Sequence, residues 1–125
     1  MKRLVLPLAG CLVAGSVLAF PERPAIEQAL KETAQALTSL SHQTLESPCQ
    51  GDIEIAAAYL KAAAMKVHYQ RFVLALTDLG YSQNELQAIA GSRDWCKNIA
   101  VNAVPFINQV RDIKAQVEIL SRVQE

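Results

Sequence analysis

The stretch from Asp52 to Leu79 most constrains the fold, because its apolar residues cover most of a helical circumference. Gly80 follows it and suits the residue just past a helix end. A helix that is apolar on nearly all sides is usually the central member of a bundle. The sequence therefore predicts one long central helix in an all-α domain. Its two apolar stripes are Ala58, Ala62, Met65, Tyr69, Phe72, Leu76 and Leu79, and Ile53, Ala57, Leu60, Ala64, Val67 and Leu74.

Two cysteines, Cys49 and Cys96, flank this helix and predict one disulfide if the protein is exported. Closing a loop of that length contributes about 4 kcal/mol in the chain-entropy model. An unbroken helix would span about 40 Å, which the return path to Cys96 barely covers. We expect Cys49 to fold back along the helix. The alternatives are a helix that bends or ends early, a disulfide between two chains, and a reduced, reactive thiol.

The N-terminal segment has the pattern of a secretory signal peptide. Lys2 and Arg3 precede an apolar run, and Val17 and Ala19 occupy the small-residue positions of a cleavage site. We expect residues 1–19 to be removed, leaving residues 20–125 as a single helical domain in the periplasm. A lipobox ending at Cys11 is the competing interpretation, and the protein would have no stable membrane anchor unless that cysteine is lipidated.

The charge balance argues against nucleic acid as a partner. The chain has 12 basic and 12 acidic residues. Loss of the signal peptide would remove two of the basic ones, so the mature protein would be slightly acidic. Without a basic stripe interleaved with aromatic residues, binding to phosphate by counterion release is not expected.

Further helices are predicted on both sides of the central one. Pro24 suits the first position of a helix that carries Ile26, Leu30, Ala34, Leu37 and Leu40 at helical spacing. Ser82 and Glu85 resemble a capping box that opens a short helix ending at Gly91. Ser92 can cap the last helical stretch, in which Pro105 predicts a kink or a break. The expected fold is a small disulfide-linked bundle of four to five helices after a cleaved signal peptide.

No motif in the sequence specifies a reaction. Met65 and His68 could in principle ligate haem, but there is no CxxCH motif, and no metal-binding motif accompanies the two histidines. The carboxylates are explained as caps and surface charges. We therefore expect no cofactor, no metal and no enzymatic activity. Trp95 is expected to cover the disulfide, although an exposed tryptophan would also serve as an interface anchor.

The C-terminal helix carries more apolar width than a short third helix could cover. We expect the protein to bind another protein or a second copy of itself there, unless the first two helices bury this seam. The expected interface residues are Phe106, Val110, Ile113, Val117, Ile119 and Leu120.

Several periplasmic groups combine a signal peptide, one disulfide and a helical domain of this size. Among them are immunity proteins and accessory proteins of envelope, secretion or conjugation systems. The separation of Cys49 and Cys96 is also similar to that in acid chaperones of the HdeA type, whose dense charge and Lys-rich tail this chain lacks. A binding protein of the first kind is therefore the expectation, with a chaperone of the HdeA type as the alternative and a small enzyme as the third.

Overall fold

The computed structural model describes residues 21–43 and 47–124, and within these ranges it contains four α-helices and no strand. The helices are α1, Arg23–Gln43; α2, Gln50–His68; α3, Phe72–Gly91; and α4, Ala100–Gln124. A 3₁₀ helix, Asp94–Ile99, precedes α4. The all-α prediction and the number of helices are confirmed. The proposed signal peptide, its cleavage site and Cys11 lie outside the described residues.

The core lies between successive helices, with α1 packed on α2, α2 on α3, and α3 on α4. Four alanines of α2 are buried, namely Ala56, Ala57, Ala63 and Ala64. Such small side chains let the neighbouring backbones approach closely. Larger side chains fill the remaining space, and those fully enclosed include Ile26, Leu30, Leu37, Ile53, Leu60, Leu79, Leu86 and Ile89. The stripe predicted for α1 is thus confirmed as a core face.

The prediction of a continuous helix from Asp52 to Leu79 was wrong, because α2 ends at His68 and α3 begins at Phe72. Gln70 adopts the left-handed conformation, with φ 61°. The N–H of Arg71 bonds the carbonyl of Lys66 at 2.8 Å, and that of Gln70 bonds Val67 at 3.0 Å. This pair of bonds is a Schellman motif with glutamine in the position usually taken by glycine. The chain reversal lets α2 and α3 bury apolar faces against each other.

The predicted capping box at Ser82 was also wrong. Ser82 lies in the interior of α3 and is fully buried, and its hydroxyl donates to the carbonyl of Ala56 in α2 at 3.0 Å. The helix passes through Gly80 without a positive φ. The predicted end at Gly91 is confirmed. Glycine can occupy a helix interior at a modest cost, which packing on two neighbouring helices offsets.

Pro105 does not divide α4 into two helices. A proline at this position removes the bond that its N–H would have made to the carbonyl of Val101. Val101 lies at the exposed start of α4, so water can bond that carbonyl instead. The predicted break is therefore absent, and the C-terminal segment is one helix.

The disulfide between Cys49 and Cys96 is present, with its Cα atoms 5.0 Å apart, and both residues are buried. It joins the start of α2 to the 3₁₀ helix. The return path to Cys96 is long enough because α2 ends early. The next helix, α3, then brings the chain back to the end of the bundle where Cys49 lies. The expectation that Cys49 folds back along its helix was therefore wrong, and the alternative of an early helix end was right.

Candidate protein-binding face

Half of the residues expected to form an interface on the C-terminal helix are buried in the core. Val110, Ile113 and Val117 are buried, and α4 packs against α3 and, less extensively, α1. Val110 and Val117 are unavailable to a partner in the folded monomer, because α3 and α1 cover their side of the helix, whereas Ile113 keeps a small exposed area. Phe106, Ile119 and Leu120 are half-buried. Whether those three contribute to binding stays a prediction.

An open groove remains where α1 and α4 are only loosely packed. Its volume is about 460 Å³, and Phe106 and Ile113 form part of its wall opposite Ala29 and Ala36. Glu32 and Asp112 stand at its edge. The groove is thus the part of the expected C-terminal interface that stays accessible from outside.

A second surface runs along the contact between α2 and α3, and sequence reasoning missed it. Asp52, Ile55 and Tyr59 follow one another at helical spacing on α2, and Tyr81 and Glu85 do so on α3. Together with Arg93 and Trp95 they make up what we call the α2–α3 face. It joins three aromatic side chains and one isoleucine with a charged cluster.

The aromatic centre of the α2–α3 face is the pair Tyr59 and Tyr81, whose ring centroids are 5.3 Å apart at an interplanar angle of 39°. Tyr81 is 51% exposed, whereas Tyr59 is partly covered. Ile55 is also exposed, one turn before Tyr59. A tilted pair of this kind presents rigid apolar area with two hydroxyl groups at its edge.

Arg93 forms ion pairs with the two carboxylates at the charged end of the α2–α3 face. Its guanidinium donates two hydrogen bonds to the Glu85 carboxylate and lies 3.4 Å from Asp52 Oδ1. The hydrogen bond to Glu85 raises the pKa of Arg93 above its ordinary value, so this side chain is always charged. A guanidinium can donate two parallel hydrogen bonds to one carboxylate, so it is held more firmly than an ammonium group would be.

Trp95 lies beside this cluster and is 53% exposed, so it is not a core residue. Its Nε1–H donates to Asp52 Oδ2 at 2.6 Å. The same oxygen lies 3.5 Å from Cys96 Sγ. The indole is thereby fixed in orientation while about half of its surface faces solvent.

The group Cys49, Asp52 and Cys96 brings three potential metal ligands within 4.8 Å of one another. Both sulfur atoms are bonded in the disulfide, and a divalent cation is bound by thiolates rather than by a disulfide. Asp52 is already engaged by Arg93 and Trp95. This arrangement therefore supports the local structure and does not form a metal site.

The two residues considered as haem ligands line one shallow pocket at the end of α2. His68 Nδ1 lies 3.1 Å from Glu27 Oε1, and Met65 is 64% exposed. Met65 belongs to the first predicted apolar stripe, but the structure places it on the exposed side of α2.

These features define the class of protein as a disulfide-linked four-helix bundle with an exposed aromatic face. Comparison with models of protein families, with characterised proteins and with solved structures found no match. Within the described residues, no helix is both long enough and apolar enough to cross a bilayer.

Proposed function

We propose that this protein acts by binding another protein through the α2–α3 face, in the periplasm after export, and that it is not an enzyme. The observation that carries the proposal is the exposure of Tyr81, Trp95 and Ile55 on one face whose charged residues, Asp52 and Glu85, are joined by an arginine. Tyrosine, tryptophan and arginine are the residues most enriched among the energetic centres of protein interfaces.

The electrostatics of the face also favour a protein partner. Arg93 pairs with both Glu85 and Asp52, so each of the three charged groups has an opposite charge beside it, although the cluster as a whole keeps one negative charge. A partner that covers them therefore does not leave an unpaired charge without water, which would oppose binding. The aromatic rings have few rotatable bonds, so fixing them in a complex costs little conformational entropy.

A site-specific cross-linking experiment tests the proposal in living cells. A photoreactive phenylalanine analogue is placed at Tyr81, and a matched control carries it at Gln87, an exposed polar position of the same helix. We expect a discrete cross-linked product for Tyr81 and none for Gln87, and mass spectrometry then identifies the partner. Equal products at both positions, or none at either, would contradict the assignment of this face.

Export is tested separately by the intact mass of the protein from the periplasmic fraction. We expect a mature chain that starts at Phe20. A chain lipidated at Cys11, or one that keeps residues 1–19, would contradict the proposed cleavage.

A further inference from the structure

The turn between α2 and α3 carries a group of exposed apolar side chains that neither the core nor the α2–α3 face explains. Met65, in the last turn of α2, is 64% exposed, and Tyr69, which follows that helix directly, is 66% exposed. Val73 and Leu74 are exposed at the start of α3. We call this group, with the cations that surround it, the basic tip. The cations are Lys31, Lys61, Lys66 and Arg71.

The cations lie on both sides of the apolar residues. Two shallow pockets, of about 340 and 330 Å³, share Met65 and Tyr69 as a common wall. Lys31 and Lys61 line the first pocket, and Lys66 and Arg71 line the second. The apolar side chains therefore stand between two groups of positive charge.

Two carboxylates neutralise part of this positive charge. Glu27 pairs with Lys31 at 3.0 Å and with Arg23 at 3.1 Å. Asp78 is paired with Lys66 at 2.5 Å. Lys61 and Arg71 have no ion pair within the part of the chain that the structure describes. The basic tip thus keeps an excess of positive charge, although the whole chain is neutral.

The basic tip lies at the same end of the bundle as the start of α1. His68 at the end of α2 contacts Glu27 in the second turn of α1, so α1 begins at the end of the bundle that carries the tip.

We propose that the basic tip docks on the surface of a membrane that contains anionic phospholipids. Met65 and Tyr69 enter the boundary between headgroups and acyl chains, while Lys61 and Arg71 contact the phosphates. Apolar side chains flanked by lysine and arginine are the combination that binds such an interface, because apolar burial and charge attraction add. An acidic protein could pair with the cations of the basic tip. It would also need an apolar pocket that fits the side chains protruding from the turn.

Tryptophan fluorescence tests the location of the contact. Trp95 is the single tryptophan and lies about 25 Å from Tyr69 along α2, since Asp52 holds it at the other end of that helix. The double substitution Tyr69→Trp with Trp95→Phe moves the probe to the tip. The protein is purified from cells that express the full sequence, so that its natural N-terminus is kept, and is mixed with vesicles of phosphatidylglycerol and phosphatidylcholine.

We expect a blue shift of emission for the probe at position 69 and no shift for Trp95 in the unmodified chain. Vesicles of phosphatidylcholine alone should give a much smaller shift. No shift at position 69, an equal shift with both kinds of vesicle, or an equal shift at both positions would overturn the proposal.

Charge reversal tests the role of the cations. In the same probe variant, Lys61→Glu with Arg71→Glu should weaken binding to the anionic vesicles by at least about tenfold, since each cation near a charged surface adds to the affinity. The matched control, Lys97→Glu with Arg111→Glu, makes the same change of net charge at exposed positions away from the tip. Equal weakening by both pairs would overturn the proposal. A tip that binds poly-glutamate more tightly than the vesicles would identify an acidic protein as its partner instead and would also overturn it.

Discussion

Ser82 in α3 and Ala56 in α2 are joined by a 3.0 Å hydrogen bond from the serine hydroxyl to the alanine carbonyl, and both residues are fully buried. The bond fixes the register of two helices that otherwise meet through apolar side chains. Since α2 and α3 together carry the aromatic pair Tyr59 and Tyr81, the same register aligns the α2–α3 face.

Removing this hydroxyl should destabilise the protein modestly. We expect Ser82→Ala to lower the free energy of unfolding by about 1 kcal/mol, because a buried hydrogen bond is lost while the alanine carbonyl keeps its helical partner. Ser82→Leu should cost more, since no space exists beside Ala56 for a larger side chain. Urea denaturation measures both, with Ser39→Ala at an exposed position of α1 as the control. Equal effects at Ser39 and Ser82 would contradict this role.

The disulfide should contribute a large share of the stability. We expect Cys49→Ser to expose a free thiol at Cys96 and to lower the free energy of unfolding by about 4 kcal/mol, because the unfolded chain is no longer closed into a loop. Thermal denaturation and thiol titration measure the two effects. A disulfide-linked dimer of the unmodified protein on a non-reducing gel would contradict the intramolecular bond.

Gln70 offers a stabilising substitution. Its φ of 61° disfavours a residue with a side chain, whereas glycine adopts that conformation freely. We expect Gln70→Gly to raise the free energy of unfolding by about 1 kcal/mol and the melting temperature by about 4 °C. Gln70→Ala, which keeps a Cβ atom, is the control and should bring no such gain. A lower melting temperature for the glycine variant would mean that the Gln70 side chain stabilises the turn.

Asp52 should control the mobility of Trp95. Removing its carboxylate by Asp52→Ala leaves the indole N–H without its partner and removes one partner of Arg93. We expect faster acrylamide quenching of tryptophan fluorescence in this variant. Asp52→Asn keeps an acceptor oxygen and should stay close to the unmodified protein, as should Glu54→Ala at a neighbouring exposed position. Unchanged quenching in Asp52→Ala would show that packing alone holds the indole.

The pKa of the Glu27 carboxyl group should be lower than is usual for a glutamate. Hydrogen bonds from Lys31 and then His68 lower the pKa of its carboxyl group. Because the folded state holds the charged form more strongly, this contribution is present above the pKa of the unfolded chain and is lost as the pH falls through the lower folded pKa. NMR titration of the Glu27 carboxyl carbon measures it, and Lys31→Ala should move the pKa upward. An unchanged pKa in that variant would exclude Lys31 as the main cause.

Local patterns in the sequence determined the helical class, the core face of α1 and the pairing of Cys49 with Cys96. Helical spacing of apolar residues and the small number of cysteines carry that information without reference to the rest of the fold. The signal peptide and the periplasmic location are inferred from the same kind of pattern, and the measurement of the mature mass tests them.

The tertiary structure alone decided where the central stretch reverses and which of its residues face solvent. No glycine or proline marks the turn at Gln70, and the reversal there lets α2 and α3 pack against each other. The α2–α3 face follows from that reversal, since only an antiparallel α3 brings Tyr81 to Tyr59 and Arg93 to Asp52. These contacts join residues far apart in sequence, and local spacing does not encode such pairings.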